Sequence, residues 1–585
     1  MGREFVNYLN TMNNASGDNI NALAESQVTN QYYNHIRVDR KLGKYIVDKI
    51  KNGAKETYII TGHAGDGKTS ILIQVLKDLG LLNEGEALEV EALKEKEDIK
   101  LMYVKDMSEL SETKQVDLLE KSLNAPQEDK SSILISNTGP LIKSFVKLMG
   151  KDEEQKDNIE NILLRQLDSN ECQEIAIDGK RFYLINIARI ENIGFVKEIV
   201  DNICEEELWE ECKQCEKAEM CPIYFNRKCI INNKDRVIRF IEMYYRWLQE
   251  NDKRITIRQM LAQISFAFTG NINCSDINKY YSNKYTKFNL NFANLFFGYR
   301  GIHKIDEANQ IEAIRLLNEL DLDDCSFEED YEIFVKENFD YFSDLIKQEV
   351  KLVWTQYNRQ INSNNEIESE NIESKQHAIR KAIRRFFLIY GLSEDRSKEE
   401  RLYNQLYGEL FVEYVNSISK SVSRRQLKQI SKVIYEALYI KNVGVPPMEK
   451  TDLYLTLTRH DEAYQNVLLL LAKANERDLE VKQIIRNVDV EDIDKSYILK
   501  LIINGKEEFK ITLPLLLYFY SVVNGEINTE VNPALSHGLA ELNAKLIKTF
   551  RNDKEDSILS LLVNTGKGAK EVEIEISEDE IFIEV

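Results

Sequence analysis

The chain has 585 residues, 43% of them hydrophobic and 30% charged, which is the balance of a globular protein with room for roughly three or four domains. Its formal net charge of −21 excludes a surface that is basic throughout, so nucleic acid would have to bind at a local patch. No segment has the length and apolar character of a membrane-spanning helix, and the N-terminus MGREFVNYLN lacks the apolar core of a signal peptide, so we expect a cytoplasmic protein that makes no membrane contact.

The first part of the chain alternates between strand and helix patterns. Residues 1–50 are predicted to be helical, and the alternation begins after them. Strands are expected at 58–61, 101–105, 132–136, 174–177 and 182–187, and helices at 68–79, 113–123 and within 139–167. This order is typical of a mostly parallel sheet covered by helices, in which a ligand lies beyond the carboxyl ends of the strands. We therefore predict an α/β domain over residues 1–235.

A helical region is predicted after the α/β domain. Residues 236–360 are aromatic with a helical period, and we expect them to form a lid. The polar stretch INSNNEIESENIESK at 361–375 is interpreted as a linker or exposed loop. A further helical domain is expected at 375–440. Its helices are predicted at 375–390, 398–418 and 423–439, the last opened by a capping box of Ser423 and Gln426.

The C-terminal part is predicted to form a mixed α/β domain over residues 448–585. The stretch NVGVPPMEK at 442–450 ends the preceding helix, because neither Pro446 nor Pro447 can continue one. Strand patterns such as DLYLTLTR then alternate with helical patterns. The closing EVEIEISEDEIFIEV alternates strictly between polar and apolar residues, which predicts a paired strand or hairpin.

The stretch GHAGDGKTS at 62–70 lies between an apolar strand pattern and a helical pattern. A glycine-rich turn of this kind points several backbone N–H groups into one cavity at the positive end of the helix dipole, which suits a phosphate chain. The spacing Gly-x4-Gly-Lys-Thr is that of the phosphate-binding loop, in which the lysine reaches the β- and γ-phosphates and the threonine holds Mg²⁺. We predict a site for ATP and Mg²⁺ made by Gly62, Gly65, Asp66, Gly67, Lys68, Thr69 and Ser70.

Hydrolysis needs a carboxylate for Mg²⁺ and a polar group that positions water, besides the phosphate cradle. Asp106 follows the strand pattern LMYV and is the candidate metal-side acid, with Glu109 as a candidate base; the alternative is an ordinary helix cap with an acidic first turn. Asn137 ends the pattern ILIS and is the candidate that positions water, although asparagine is also common in turns.

Arg258 is the candidate cation that reaches the γ-phosphate from the lid. It lies early in the helical pattern ITIRQMLAQI, and the alternative is a solvated arginine. Asn186 and Arg189 end the last core strand pattern and rank lower as site residues.

Four of the eight cysteines, Cys212, Cys215, Cys221 and Cys229, lie within ECKQCEKAEMCPIYFNRKC. The Cys-x2-Cys spacing lets two thiolates face one metal, and two more complete a tetrahedron. We expect a structural zinc site in an insertion at 204–230, with Cys204 as a spare thiol. An iron–sulfur cluster has the same ligand set, and free buried thiols are the remaining alternative.

Two helical patterns carry basic faces, and such a face either binds a phosphate backbone or is solvated. KQHAIRKAIRRFF and RRQLKQISK space their cations at one helical turn, so each set shares one side of a helix. Double-stranded DNA could bind there, and the alternatives are a solvated face or a surface for acidic partners. The cations concerned are Arg380, Lys381, Arg384, Arg385, Arg424, Lys428 and Lys432.

Together the motifs resemble DptF, the ATPase component of bacterial DNA phosphorothioation-dependent (Dnd) restriction systems. The resemblance covers residues 55–300 and, more weakly, the C-terminal part. It rests on GHAGDGKTS, DMSEL, ISNTGPL, INIARIEN, the cysteine cluster, ITIRQMLAQISFAFTGN and FANLFFG.

The resemblance implies an AAA+-like P-loop NTPase core with a helical lid, and a Mg²⁺-dependent ATPase. It implies a role in anti-phage defence together with other subunits of a restriction complex that attacks DNA lacking the host's sulfur modification, in a homo-oligomer or hetero-complex. Lys68 and Thr69 inherit the nucleotide-binding role. The adjacent Asp-Glu pair usual in the second ATPase motif is absent here, which leaves the catalytic base open.

Two other functions remain as alternatives. A nucleotide-dependent switch would control oligomerisation or signalling without direct DNA contact. The cluster His460, Asp461 and Glu462 in TRHDEAY would be part of a C-terminal hydrolase only with a second cluster, and the sequence offers none.

Overall fold

The computed structural model describes most of the chain, with gaps mainly in its C-terminal part. The described residues are 2–13, 30–83, 85–168, 172–189, 191–280, 283–363, 369–391, 395–447, 452–457, 467–485, 497–526, 532–551, 558–565, 568–576 and 581–584. They divide into two compact units, which are for the greater part Met1–Leu406 and Tyr407–Val585. The boundary lies inside the range 375–440 that the sequence predicts as one helical domain.

A six-stranded sheet organises the first unit. Its strands in chain order are β1 Thr57–Thr61, β2 Glu91–Lys96, β3 Ile99–Val104, β4 Ser131–Ile135, β5 Glu174–Ile177 and β6 Lys180–Asn186. The spatial order is β2-β3-β4-β1-β6-β5. The four inner strands are mutually parallel, and the edge strands β2 and β5 are antiparallel to their neighbours. The predicted mixed α/β class with a mostly parallel sheet is confirmed.

Helices cover both faces of this sheet because the inner strands are apolar on both sides. On one face, Tyr58 and Ile60 of β1 pack against the helices Lys41–Lys51 and Lys68–Asp78. On the other face, Ile59 packs against Glu112–Asn124, Thr138–Met149 and Glu153–Asp168. All five residues of β1 are buried, as expected for a central parallel strand.

Most predicted strand and helix bounds in this layer agree with the structure to within one or two residues. The sequence analysis missed β2, whose six residues pair with β3 in register from Glu91 opposite Val104 to Lys96 opposite Ile99. Four of its six residues are charged, and all six are half-buried or exposed, so no hydrophobic alternation marks it. Such an antiparallel edge strand depends on its neighbour for pairing.

The rest of the first unit is mainly helical and aromatic, as expected, and also contains a two-stranded antiparallel sheet of Tyr299–Arg300 and His303–Lys304. A cluster of rings that includes Phe240, Tyr244, Phe292, Phe296 and Phe297 packs with centroid separations of 5.8–6.2 Å. The helices that the structure describes in this unit outside the layer are Gly2–Met12, Tyr33–Ile36, Val196–Ile203, Glu210–Lys213, Pro222–Asn232, Lys234–Glu250, Ile257–Thr269, Cys274–Tyr280, Thr286–Asn289, Phe292–Phe296, Glu312–Glu319, Asp344–Ser363, Ser369–Tyr390 and Arg396–Tyr407.

The second unit combines antiparallel sheets with helices. Its five-stranded sheet has the order 581–584, 568–576, 558–565, 467–474, 453–456, and a three-stranded sheet is formed by 479–485, 497–503 and 507–510. The helices are Glu409–Ser419, Arg424–Val443, Leu513–Val523 and Pro533–Phe550. The predicted C-terminal hairpin is confirmed, with Ile574 opposite Ile583.

Two sequence predictions about the helical segments were wrong in part. The range 361–375 is not all linker, because described helices extend to Ser363 and begin again at Ser369. The helix predicted at 398–418 is two helices, interrupted at Gly408, whose φ of 88° and ψ of 147° are accessible to glycine and costly for other residues. The capping box at Ser423 is confirmed.

None of the helices that the structure describes is both long and apolar enough to cross a membrane.

Leu163 and Leu164 offer a matched test of the packing between the helix Glu153–Asp168 and the sheet. Leu163 is fully buried and Leu164 is 41% exposed, so the same substitution in the same helix removes core packing at one position and little at the other. We expect Leu163→Ala to lower the free energy of unfolding by about 2–5 kcal/mol. Leu164→Ala should change it by less than about 0.5 kcal/mol. Equal losses in urea denaturation would contradict this packing.

Candidate functional site

The carboxyl ends of three neighbouring parallel strands bring the predicted nucleotide residues together. β1 continues into the glycine loop 62–67, β3 leads to Asp106, and β4 leads to Asn137. The helix that follows β1 covers one face of the sheet, and the helix that follows β4 covers the other. The chain therefore leaves two adjacent strands on opposite faces, and ligands of open parallel sheets bind in the crevice at such a switch point.

The glycine loop requires glycine at two positions. Gly65 and Gly67 both have φ of 88°, in the left-handed region that a Cβ disfavours. A Cβ on Gly65 would also lie 3.0 Å from Oγ1 of Thr256. The loop thus keeps backbone rather than side chains at the mouth of the crevice, and its last residue caps the helix Lys68–Asp78.

The Lys68 side chain lies across this crevice. Its Nζ donates to the carbonyl oxygens of Gly62 at 2.7 Å and His63 at 3.1 Å, and to Oδ1 of Asn137 at 3.2 Å. Lys68 thereby joins the loop after β1 to the end of β4. All three of these acceptors are neutral, so an anionic ligand would give the ammonium a stronger partner than it has here.

The ammonium of Lys68 lies in a poorly solvated place. The residue is 8% exposed, and burial lowers the pKa of the ammonium from its usual 10.5. The Asp106 and Asp66 carboxylates act in the opposite direction, and the Arg258 guanidinium adds to the lowering. Asp66, Asp106 and Arg258 therefore all lie near enough to influence the same ammonium.

Asp66 is the buried centre of the loop. Its carboxylate, in a residue with no exposed surface, accepts from the backbone N–H of His63 at 3.0 Å and from Arg254 Nη2 at 3.1 Å, and Asn192 Nδ2 lies 3.4 Å away. Arg40 Nη2 donates to the Asp66 carbonyl at 2.8 Å. Asp66 therefore stabilises the loop from inside. From the sequence, we instead expected Asp66 to contact the nucleotide.

A chain of hydrogen bonds joins the ends of β3 and β4. Asp106 Oδ1 accepts from the backbone N–H of Ser108 at 2.8 Å and caps the short turn Met107–Glu109. Ser108 Oγ accepts from the backbone N–H of Asn137 at 2.6 Å and lies 3.3 Å from Ser136 Oγ. Asp106 is half-buried, whereas Glu109 is exposed. The structure thus brings Asp106 and Asn137 to one edge, and one carboxylate oxygen of Asp106 serves as a cap.

The helix Ile257–Thr269 begins against the glycine loop. Thr256 and Gln259 form its capping box, in which Thr256 Oγ1 accepts from the backbone N–H of Gln259 at 3.3 Å. The backbone N–H of Arg258 donates to the Gly65 carbonyl at 3.5 Å. Arg258 is therefore next to the loop, as expected for a residue that acts from the lid.

The remaining candidates are less closely involved. Thr69 and Ser70 lie half-buried in the first turn of the helix after the loop. The Asn186 amide donates to the Leu167 carbonyl at 2.9 Å and its oxygen accepts from the backbone N–H of Ala188 at 3.1 Å, so its side chain has a structural role. Arg189 ends a short turn after β6, and its side chain lies outside the described part.

Sequence reasoning missed the residues that support the loop from a distance. Arg40, Asn192 and Arg254 converge on Asp66 from segments far apart in the chain, and no spacing in the sequence links them. Arg40 is 2% exposed, and its guanidinium also donates to Asn192 Oδ1 at 2.8 Å. The sequence does contain the capping pair Thr256 and Gln259, which marks a helix start two residues after Arg254. It does not indicate that Arg254 contacts Asp66.

The structure separates Cys229 from the other three predicted ligands. Cys221 caps the helix Pro222–Asn232, and Cys229 lies eight residues further, about 12 Å along the axis at 1.5 Å per residue. One zinc ion with bonds of about 2.3 Å cannot join them. Cys229 is fully buried, and its sulfur lies 3.9 Å from Asn291 Nδ2. The predicted ligand set is therefore not assembled.

Most cations of the first basic helix are engaged with acidic residues of the same unit. Arg385 is 1% exposed and pairs with Asp323, and Arg384 is 8% exposed and pairs with Asp330 at 2.7 Å. Lys381 lies 3.3 Å from Asp324. These three cations are therefore engaged within the unit and are not free for DNA phosphates, in contrast to the sequence expectation.

The other basic residues differ from this set. The Arg380 guanidinium lies 5.6 Å from the ring centroid of Phe334. On the helix Arg424–Val443, Arg424 and Lys428 are exposed, and Lys432 lies 3.5 Å from Glu436. His460, Asp461 and Glu462 fall outside the described residues.

No family model, no curated protein and no solved structure matches the chain.

Removal of the Asp66 carboxylate should loosen the glycine loop. Asp66→Ala deprives the His63 N–H of its acceptor, and a hydrogen bond to a charged group contributes about 1.5–3 kcal/mol. We expect amide hydrogen exchange in peptides covering 62–67 to become about ten-fold faster or more. Asp117→Ala, which removes an exposed partner of Lys121, is the control and should leave these peptides unchanged. Unchanged exchange in Asp66→Ala would refute the supporting role.

Proposed function

We propose that this protein is a P-loop, Mg²⁺-dependent ATPase with an AAA+-like core. The observation that carries the proposal is the position of Lys68, whose Nζ bonds to Gly62, His63 and Asn137 at the switch point of a parallel sheet. A glycine loop between β1 and a helix N-terminus supplies backbone N–H groups for phosphates. Lys68 would exchange its neutral acceptors for the β- and γ-phosphate oxygens.

The oxygen donors near Lys68 suit a magnesium ion. Thr69 offers a hydroxyl in the first helical turn, and Asp106 offers a carboxylate at the end of β3; hard oxygen ligands of this kind are those that Mg²⁺ prefers. When bound, the ion would neutralise charge on the β- and γ-phosphates. These two residues would hold it, with Asp106 as the metal-side acid.

The neighbouring polar groups support roles in hydrolysis. Asn137 is exposed at the end of β4 and already bonds to Lys68, so its amide would orient water next to the γ-phosphate. Arg258 lies beside the loop and would stabilise negative charge that develops on the phosphate. The exposed carboxylate of Glu109 lies one turn from Asp106 and is the candidate base.

The biological context that we propose follows from the motif resemblance to DptF. The chain would couple ATP turnover to a DNA phosphorothioation-dependent restriction complex, in which partner subunits cut the DNA. The buried ion pairs of Arg384 and Arg385 weaken the case for DNA contact along their helix. Direct DNA contact would then involve the exposed Arg424 and Lys428 instead.

The same ion pairs favour a second candidate function. If cations on the helix Ser369–Tyr390 stabilise the fold, the chain could be a nucleotide-dependent switch that controls oligomerisation without binding DNA. Both functions use the same nucleotide site. They differ in whether DNA changes ATP turnover.

Lys68→Ala should abolish ATP hydrolysis. The substitution removes the cation of the crevice, and we expect turnover to fall about 10²-fold or more, a loss of the size seen when one charge-stabilising group is removed. Lys77→Ala is the matched control, since Lys77 lies in the last turn of the same helix and bonds to Asn34. Lysine-independent turnover in a Mg²⁺-containing assay would contradict the proposed site.

The same assay with duplex DNA separates the two functions. Turnover that rises with DNA and disappears in Lys68→Ala supports a DNA-engaged ATPase. Turnover that depends on Lys68 and is indifferent to DNA supports the switch.

Asp106→Asn tests whether Asp106 is more than a helix cap. Asparagine is as good an N-cap as aspartate, so the bond from the Ser108 N–H and the fold should persist. We expect ATP binding to remain and hydrolysis to fall about 10²-fold, because the metal loses a charged ligand. Unchanged turnover at all Mg²⁺ concentrations would limit Asp106 to capping. Glu109→Gln in the same assay tests the candidate base.

A further inference from the structure

Cys274 lies 45 residues beyond the cysteine cluster in sequence, yet the fold returns it to that region. The helix Ile257–Thr269 ends at Gly270, which has φ of 59° and turns the chain back. Asn273 then accepts from the backbone N–H groups of Ser275 and Asp276 at 2.9 and 3.1 Å and caps a new helix whose first residue is Cys274.

Aromatic and polar contacts bring this turn beside the segment that carries Cys212. Trp209, three residues before Cys212, has its ring 6.2 Å from Phe268 and 5.5 Å from Phe5. Asn10, on the same N-terminal helix as Phe5, donates to the Ile272 carbonyl at 3.1 Å. The helix Gly2–Met12 therefore contacts both the residues before Cys212 and those before Cys274.

The thiols themselves are near enough to repel one another when ionised. Burial raises the pKa of the Cys212 thiol to about 12, and the next causes are Cys221, Cys274 and Cys215, in that order. Burial also raises the pKa of Cys274, followed by Cys221, while Arg3 lowers it. The thiols of Cys212, Cys215, Cys221 and Cys274 therefore lie in one neighbourhood, as the contacts of Trp209 and Ile272 indicate.

Cys221 lies at the start of a helix, next to the segment that carries Cys212 and Cys215. It is the N-cap residue of the helix that begins at Pro222. Burial raises the pKa of its thiol, and the backbone N–H groups of Tyr224 and Ile223 act in the opposite direction. Backbone donors at a helix N-terminus stabilise a thiolate and orient it, as outer contacts of metal ligands do. Cys212 lies in the short helix Glu210–Lys213 and Cys215 just after it, where the Cys215 N–H donates to the Cys212 carbonyl at 3.4 Å.

We propose that Cys212, Cys215, Cys221 and Cys274 bind one structural zinc ion, with Cys274 as the fourth ligand in place of Cys229. Four thiolates match the tetrahedral sulfur set that zinc prefers in closed structural sites. The ion would fasten a turn that is largely exposed to the start of the helix Cys274–Tyr280. It would thereby also anchor the end of the helix Ile257–Thr269, whose other end contacts the glycine loop.

Binding would draw the four sulfur atoms closer than they are in this structure. Among the described residues, the group of three or more potential ligand atoms that lie within 4.8 Å of one another consists of His35, Glu205 and Glu207, two of which are exposed. Cys215 is exposed and Cys212, Cys221 and Cys274 are half-buried, so none of the four thiols is enclosed in the core.

Metal analysis of the full-length chain and of matched cysteine variants tests the ligand set. We expect the wild type to hold about one zinc ion per chain, and Cys274→Ser to lose most of it or to bind zinc at least about ten-fold more weakly. Cys229→Ala, which keeps a small apolar side chain in the buried position, should retain zinc. Lys68→Ala should retain it too, which separates this proposal from the nucleotide site.

Three results would overturn the proposal. Zinc lost from Cys229→Ala and kept by Cys274→Ser would refute the ligand set. A wild-type chain that takes up no zinc after unfolding, reduction and refolding with zinc would refute the site. Iron together with acid-labile sulfide would refute the identity of the metal.

A second measurement guards against a variant that misfolds. Cobalt can replace zinc, and its thiolate charge-transfer absorption weakens when a sulfur ligand is lost. In folded Cys274→Ser, checked by circular dichroism, this absorption should be weaker than in the wild type and in Cys229→Ala. Equal absorption in all three chains would refute Cys274 as a ligand.

Discussion

A fully buried carboxylate is the constraint on which the candidate site depends. Asp66 lies inside the glycine loop, and a charge without solvent persists only when it is paired and hydrogen-bonded. Arg254, Asn192 and the His63 N–H supply these contacts, at the cost of fixing three separate parts of the chain around one side chain. Removing one partner of such a pair leaves an uncompensated buried charge, so the loop and the segment before the helix Ile257–Thr269 hold together as one structure.

This constraint also accounts for the neutral partners of Lys68. Asp66 is occupied by Arg254, and one oxygen of Asp106 is occupied by the Ser108 N–H, so neither carboxylate forms the short ion pair that would neutralise the ammonium. Lys68 instead bonds to neutral oxygens while burial lowers its pKa. A desolvated cation with weak partners costs stability in the free protein, and phosphate oxygens would offset that cost.

The sequence predicted the strands and helices around the candidate site well, because their signals are local. A buried strand, a glycine turn and a helix start occupy fifteen consecutive residues, and the ends of β3 and β4 follow clear apolar runs. The supporting residues could not be found in this way. Arg40 and Arg254 reach Asp66 across 26 and 188 residues, and periodicity carries no information about such distances.

Two wrong expectations have the same physical origin. Arg384 and Arg385 are spaced as on a solvated basic face. In the structure they are buried and form ion pairs with Asp330 and Asp323, which lie more than fifty residues earlier in the chain. Cys229 has a plausible spacing in sequence, but the helix that begins at Cys221 carries it along the axis into the core. Pattern fixes which residues share a face, whereas the tertiary fold decides what that face meets.

The helix Ile257–Thr269 gives the two proposed sites a common mechanical element. Its thirteen residues span about 20 Å, its first turn bonds to Gly65, and its end packs through Phe268 against Trp209 near the cysteine turn. A helix of this length moves largely as a rigid body, so a shift of the glycine loop on nucleotide binding would either displace the cysteine turn or break the bond between Arg258 and Gly65. A metal that anchors Cys274 would favour loss of the bond between Arg258 and Gly65. It would hold Arg258 in place while the glycine loop moves. On this argument the proposed zinc would determine how far the lid follows the nucleotide.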